Sequence, residues 1–146
     1  MANLRMAVAL VVGLAATSAS AETVEVKMLN MGSNGTPMVF EPASVTIEPG
    51  DTVHFKAVDK SHNAQSLKGM IPQGADTFSG GLNQDVKVTF ETEGTHAYKC
   101  LPHVYMGMVG VVKVGDWKKN IDQVRAKVSD LPKKAQERMR PLLAGE

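Results

Sequence analysis

The chain has 146 residues, with 16 lysines and arginines against 15 aspartates and glutamates, and a single cysteine. This length fits one ordinary domain that can bury a core without disulfide bonds. The hydrophobic fraction of 43% and the charged fraction of 21% exclude a disordered chain and a membrane-embedded one. A net charge of +1 provides no general attraction for nucleic acid. One cysteine excludes an intramolecular disulfide and the four-cysteine zinc and iron–sulfur sites.

The first 21 residues are organised like a cleaved export signal. Arg5 precedes an apolar run over residues 6–16, which is too short to span a bilayer. The segment ends in Ala19-Ser20-Ala21, the form that signal peptidase cleaves; the alternative is a buried N-terminal helix. Removing 21 of the 146 residues leaves 125, and we expect this mature protein to be soluble, unanchored and periplasmic. An unpaired thiol is a liability in an oxidising compartment, so Cys100 must be buried or bound.

The mature chain is expected to form short β-strands. Apolar and polar residues alternate along several segments, and turn signals such as Pro49-Gly50-Asp51 separate them. No helical pattern lies between these segments, which favours an antiparallel β-sandwich or barrel. The predicted strands are residues 23–30, the segment around 45–47, and residues 51–58, 85–91, 95–100 and 109–114.

Two helices are predicted after Gly115. Asn120 is expected to cap the first helix together with Gln123. Pro132 suits the first turn of the second helix, and Pro141 is expected to end it. We therefore divide the chain into a signal peptide at 1–21, a β-sandwich at 22–115 and a helical extension at 116–146 that packs on the sandwich.

The chemistry is concentrated in residues 100–108, which read CLPHVYMGM. The spacings C-x2-H and H-x4-M bring a thiolate, an imidazole and a thioether onto one loop. Two histidines, a cysteine and a weak axial methionine form the trigonal copper site of electron-transfer proteins. His62 is the natural second imidazole, because it opens the long irregular stretch 59–84 that follows a predicted strand.

Each of these residues also has an ordinary structural interpretation. Cys100 alone could be an inert buried thiol, His103 a surface histidine, and Met106 or Met108 core filler. Their joint occurrence in an exported β protein favours a metal site. Met108 is preferred to Met106 as the axial ligand, because four intervening residues let the loop turn under the metal. His54 is expected at the surface, and His96, on the inward face with Tyr98 and Cys100, in the core.

The chain also resembles the pseudoazurins, small periplasmic blue copper proteins of the cupredoxin family. The resemblance covers essentially the whole mature chain and is carried by Phe40-Glu41-Pro42-Ala43, by residues 48–53, 58–63 and 70–75, and by the loop 100–108. It implies a mainly β, cupredoxin-type Greek-key β-sandwich with two C-terminal α-helices. It also implies one type 1 copper ion, with His62, Cys100 and His103 as equatorial ligands and Met108 as the axial one.

The resemblance further implies roles for residues around the copper. Asn63 would hydrogen-bond near the Cys100 sulfur and tie the two ligand loops together. Met106 would pack beside the site, and Met38 and Pro102 would lie in the apolar surface through which electrons pass. A family ring of lysines that steers anionic partners is kept in part, at Lys60, Lys68 and Lys99, whereas Met31 and Ser79 stand where lysine is common.

These observations together predict an electron carrier and not an enzyme, since four protein ligands leave no position for a substrate. The family's partners imply a nitrite reductase-like acceptor in denitrification and a cytochrome-like donor, and we expect a monomer. The alternatives are a periplasmic copper-handling protein or a plastocyanin-like carrier for another respiratory partner. A zinc enzyme with the same two histidines and cysteine is disfavoured, because Met108 takes the position that its water would need.

Overall fold

A computed structural model describes residues 19–145, so all but the last three residues of the predicted export signal lie outside the described part of the chain. The described residues are mainly β and end in two α-helices, as expected. None of the helices within residues 19–145 has the length and apolar character needed to cross a membrane. The elements are β1 Thr23–Met31, β2 Pro37–Glu41, β3 Ser44–Ile47, β4 Thr52–Ala57, β5 Gln65–Ser66, β6 Val86–Thr89, β7 Gly94–Lys99, β8 Val109–Val114, α1 Ile121–Lys127 and α2 Lys133–Leu143.

The strands form two four-stranded sheets with the orders β2-β1-β4-β6 and β3-β8-β7-β5. The predicted two-sheet sandwich is confirmed, but its sheets are mixed rather than antiparallel, because β1 pairs parallel with β4 and β3 pairs parallel with β8. The reason lies in the connections: after β2 the chain crosses to the second sheet to form β3. It then returns to form β4 beside β1, running in the same direction. Strands β2 and β5 lie in segments for which no strand was predicted.

The main core lies between the two sheets and follows the predicted alternation. Val53 and Phe55 of β4 are fully buried there, while Lys56 on the opposite face is exposed. The Tyr98 ring of β7 packs edge-on against the rings of Phe40 and Phe55, with centroid distances of 4.7 and 4.8 Å. Aromatic rings favour this edge-to-face geometry, and it fixes the end of β7 that leads into Cys100.

A second core lies between the outer face of the β7–β8 pair and the C-terminal helices. Ala97 and Val111 from the sheet meet Val124 of α1 and Met139 of α2 in this cluster. All these side chains are completely buried. Strands β7 and β8 are therefore covered on both faces, which makes this hairpin the most enclosed part of the sandwich.

The ends of the two helices differ from the sequence prediction. The Asn120 side chain makes no capping hydrogen bond. Its Oδ1 accepts from the Thr95 N–H at 2.7 Å, and its Nδ2 donates to the Thr95 carbonyl at 2.9 Å. The side chain thus pairs with the backbone of Thr95 in the same way as the backbone of a neighbouring strand. Gln123 donates to the Gly69 carbonyl rather than back to Asn120. These tertiary contacts replace the local reciprocal cap.

The prolines of α2 also lie in unexpected positions. Pro132 is the residue before the helix and not part of its first turn, and Pro141 lies inside the helix. The helix continues to Leu143, whose side chain is buried in the second core. Burial of Leu143 therefore outweighs the loss of one backbone hydrogen bond at the proline.

His96 is buried in the sandwich, as the sequence indicated. Its Nε2 donates a hydrogen bond to the Thr92 carbonyl at 2.8 Å, and its ring packs edge-on against Phe90. Burial lowers the pKa of His96 below its usual value, with the Thr92 hydrogen bond opposing this effect. His54, in contrast, is a partly exposed residue that pairs with Asp85 at 2.9 Å.

We predict that His96 makes the protein less stable as the pH falls below neutrality. The unfolded state binds a proton near pH 6.5, whereas the folded state takes it up only at lower pH, because the pKa of His96 is lowered. The free energy of unfolding should therefore decrease from pH 7 to pH 5, by at most ~1.4 kcal/mol per pH unit from this group. Urea unfolding should be measured for the parent and for His96→Phe in the same metal state. The free energy of unfolding should decrease less with falling pH in His96→Phe than in the parent. Parallel pH curves for parent and variant would contradict the prediction.

Candidate metal centre

The loop that joins β7 to β8 carries three of the four candidate ligands. Cys100 follows directly on β7, and Met108 directly precedes β8. The Cys100 N–H donates to the Met108 carbonyl at 3.0 Å, which closes the base of the loop. Gly107, with a φ of +88°, ends the 3-10 turn Val104–Met106 in a left-handed conformation suited to glycine. The hairpin therefore brings residues eight apart in sequence next to each other.

His62 reaches the same point from the loop between β4 and β5. Its Nδ1 lies 3.7 Å from the Cys100 sulfur, and the His103 Nδ1 lies 3.5 Å from the same sulfur. The three candidate ligand atoms are all within 4.8 Å of one another. His62 and Cys100 are fully buried, whereas His103 is partly exposed. The structure thus brings together the two histidines and the cysteine that the sequence singled out.

The orientation of His62 is set by Asn30, a residue that the sequence analysis did not identify. The Asn30 Oδ1 lies 2.8 Å from the His62 Nε2, and because this oxygen only accepts, Nε2 is the donor. The neutral ring then presents an unprotonated Nδ1 to the Cys100 sulfur. The available signal was topological: Asn30 lies near the end of β1, which runs parallel to β4, the strand that leads to His62.

The Asn63 side chain links the loop of His62 to the loop of Cys100. Its Oδ1 accepts from the Leu101 N–H at 2.7 Å, and its Nδ2 donates to Gln65 Oε1 and to the Gly80 carbonyl. The backbone N–H of Asn63 also acts to lower the pKa of the Cys100 thiol. One residue thus fixes both the loop of His62 and the loop of Cys100.

The buried site is arranged to be neutral. Burial raises the pKa of the Cys100 thiol, and hydrogen bonds from the backbone N–H groups of Asn63 and His103 act in the opposite direction. Burial, followed by the proximity of His103, lowers the pKa of His62, with Asp59 opposing. A neutral thiol takes up a metal cation by releasing its proton.

The two candidate axial methionines occupy different environments. Met108 is completely buried and belongs to the same core cluster as Cys100. Met106 is 40% exposed, so its thioether is part of the surface. A buried thiol, two imidazoles and a buried thioether form a soft donor set that fits copper.

The surface above the site is apolar. Leu101, Pro102 and Tyr105 are exposed around the partly exposed His103, and Tyr105 is 78% exposed. Met38 is half-buried and packs against the main core. Of the predicted docking lysines, Lys60 and Lys68 are exposed and Lys99 is half-buried. Lys68 and Lys99 line one groove together with Leu101 and Tyr105.

Comparisons with known proteins identify a family of copper-binding proteins. Residues 26–115 match the family of copper binding proteins described as the plastocyanin/azurin family. The chain is 46% identical over 142 residues to a pseudoazurin of Paracoccus pantotrophus, covering 97% of this chain and 95% of that protein. It is 44% identical over 139 residues to the pseudoazurin of Methylorubrum extorquens, covering 94% and 92% of the two chains.

A solved structure gives the same result for the fold. The crystal structure of pseudoazurin from Methylobacterium extorquens AM1 superposes with a TM-score of 0.77 at 43% sequence identity. The match covers 83% of this chain and 96% of that one. The chain therefore belongs to the pseudoazurins, cupredoxins that carry electrons with one type 1 copper ion and are not enzymes.

Proposed function

We propose that this chain carries single electrons in the periplasm through a copper ion bound by His62, Cys100, His103 and Met108. The observation that carries the assignment is the Cys100 sulfur, buried between the Nδ1 atoms of His62 and His103 at 3.7 and 3.5 Å. Bound copper supplies the one-electron Cu(I)/Cu(II) couple. The protein holds the ligands in place, excludes water from the site and exposes one side of His103 to partner proteins.

The ligands are held by hydrogen bonds that do not depend on the metal. Asn30 orients His62, Asn63 joins the two ligand loops, and the Cys100 N–H fixes the base of the hairpin. Such outer contacts orient ligands and tune the metal. A fixed geometry suits a carrier, because gain or loss of an electron then requires little rearrangement.

The burial of Met108 favours an electron carrier over a copper-handling protein. A protein that transfers copper would present exposed, flexible methionines, whereas the Met108 side chain is completely buried beside Cys100. Four protein donors also leave no coordination position for a water or a substrate, which disfavours zinc chemistry.

The exposed side of His103 is the proposed point of electron entry and exit. Exposed Leu101, Pro102, Tyr105 and Met106 surround it with apolar surface, which suits brief contacts with a redox partner. Lys60, Lys68 and Lys99 would steer acidic partners toward this surface. We propose a nitrite reductase-like acceptor, a cytochrome-like donor and a monomeric carrier, as expected from the family resemblance. The predicted export signal in residues 1–21 supports a periplasmic location.

The ligand assignment predicts the colour of the copper-loaded protein and of its variants. Addition of Cu(II) to the mature protein should produce an intense blue absorption, and Cys100→Ala should abolish it because the thiolate–copper bond is lost. Met108→Leu should change the visible and electron-spin spectra, whereas the matched variant Met106→Leu should leave both spectra unchanged, since Met106 lies at the surface. A colourless parent, or a blue Cys100→Ala protein, would contradict the ligand assignment.

The docking lysines are predicted to set the rate of electron transfer at low salt. Replacing Lys60 and Lys99 with glutamine should slow electron transfer to an acidic partner by up to about tenfold at low salt, because steering charges are lost. The difference should disappear near 1 M salt, where charges are screened within about 3 Å. Stopped-flow kinetics would measure both rates. As a control, glutamine at Lys87 and Lys118, exposed lysines outside the ligand loops, should have little effect. Equal slowing by both pairs would show that steering is not local.

A further inference from the structure

Arg138 of α2 reaches back from the C-terminal extension to the copper-binding loop. Its Nη1 donates to the carbonyls of Met38 at 2.7 Å and Gly107 at 3.2 Å, and its Nη2 donates to the carbonyl of Pro37 at 2.9 Å. Among the described residues, no ion pair involves Arg138. The guanidinium therefore acts through hydrogen bonds to backbone oxygens and not through a carboxylate partner.

We propose that Arg138 positions the part of the loop that carries Met108, and so tunes the copper site from the C-terminal helix. The inference rests on the ligand assignment proposed above. Gly107 immediately precedes Met108, so a hydrogen bond to the Gly107 carbonyl restrains the peptide unit from which the axial ligand extends. Arg138 is a positioning residue, because it acts on the ligand through this backbone.

The close approach of α2 to the loop supports this role. A Cβ atom on Gly107 would lie 2.8 Å from the Arg138 Cδ and 3.0 Å from the Lys134 carbonyl oxygen. Only glycine leaves room for the helix at this point. Val104 of the loop also packs in the second core with Ala135 and Met139 of α2. The helix thus lies directly on the loop, with a hydrophobic anchor beside the hydrogen bonds.

The same guanidinium also restrains a second backbone segment, residues 37–38. Met38 has a φ of +51°, a left-handed conformation that is uncommon for a residue with a side chain. Its carbonyl is one of the three that Arg138 binds, and Pro37 supplies another. The several N–H donors of the planar guanidinium can bridge residues 37–38 and Gly107, whereas the single ammonium of a lysine cannot reproduce this geometry.

The test compares three variants of the copper-loaded protein. Arg138→Met should fold but bind copper about tenfold or more weakly, as loss of contacts that orient metal ligands typically does. Its visible spectrum should also change, because the axial thioether moves. Arg138→Lys should show an intermediate effect. Arg140→Met is the matched control, since it removes the same charge from an exposed position on the same helix, and it should match the parent.

Competition with a chelator gives the affinity, and absorption and electron-spin spectra report the axial ligand. A folded Arg138→Met protein with the parent's affinity and spectra would overturn the proposal. If this variant fails to fold, Arg138→Lys decides: a changed spectrum supports the role, and an unchanged one overturns it. If the parent itself does not form a blue site, the ligand assignment fails instead. Amide exchange at residues 107–109, faster in Arg138→Met but not in Arg140→Met, would then still test whether Arg138 restrains the loop.

Discussion

The structure depends on one constraint, the burial of a single thiol between two imidazoles that come from different loops. Cys100 and His62 are completely buried, and such polar groups are costly to bury unless neighbouring groups satisfy them. Asn30 satisfies the far nitrogen of His62, and the Asn63 side chain joins the two loops that meet at the sulfur. The Cys100 sulfur lies 3.7 Å from the Nδ1 of His62 and 3.5 Å from the Nδ1 of His103, an arrangement that a bound metal ion would complete.

The rest of the fold holds that constraint in place. Cys100 and Met108 end the two strands β7 and β8, which pair with each other and are covered on one face by the opposite sheet and on the other by α1 and α2. The C-terminal extension is therefore more than an appendage to the sandwich. It encloses the hairpin that carries the ligands, and through Arg138 it contacts the loop itself.

The strands and ligands that could be predicted from the sequence are those with a local sequence pattern. The valine-rich run of residues 109–114 predicts β8 with the bounds that it has in the structure. The C-x2-H-x4-M spacing of Cys100, His103 and Met108 is visible because the ligands share one loop. Asn30 and Arg138 have no local signature. Asn30 is 32 residues before His62 in sequence, and Arg138 is 100 residues after Met38, so only the folded chain brings each pair together. The predicted helix cap at Asn120 is absent for the same reason, because its side chain bonds to distant Thr95 instead.

The central claim is that the protein fixes the ligand geometry before the metal arrives. The most direct measurement is a pair of high-resolution crystal structures of the mature protein, one without copper and one copper-loaded. We expect copper bonded to the Nδ1 atoms of His62 and His103 and to the sulfurs of Cys100 and Met108, with the Asn30 hydrogen bond to His62 present in both structures. Copper held by other residues, or a His62 ring that reorients on binding and leaves Asn30, would contradict the account.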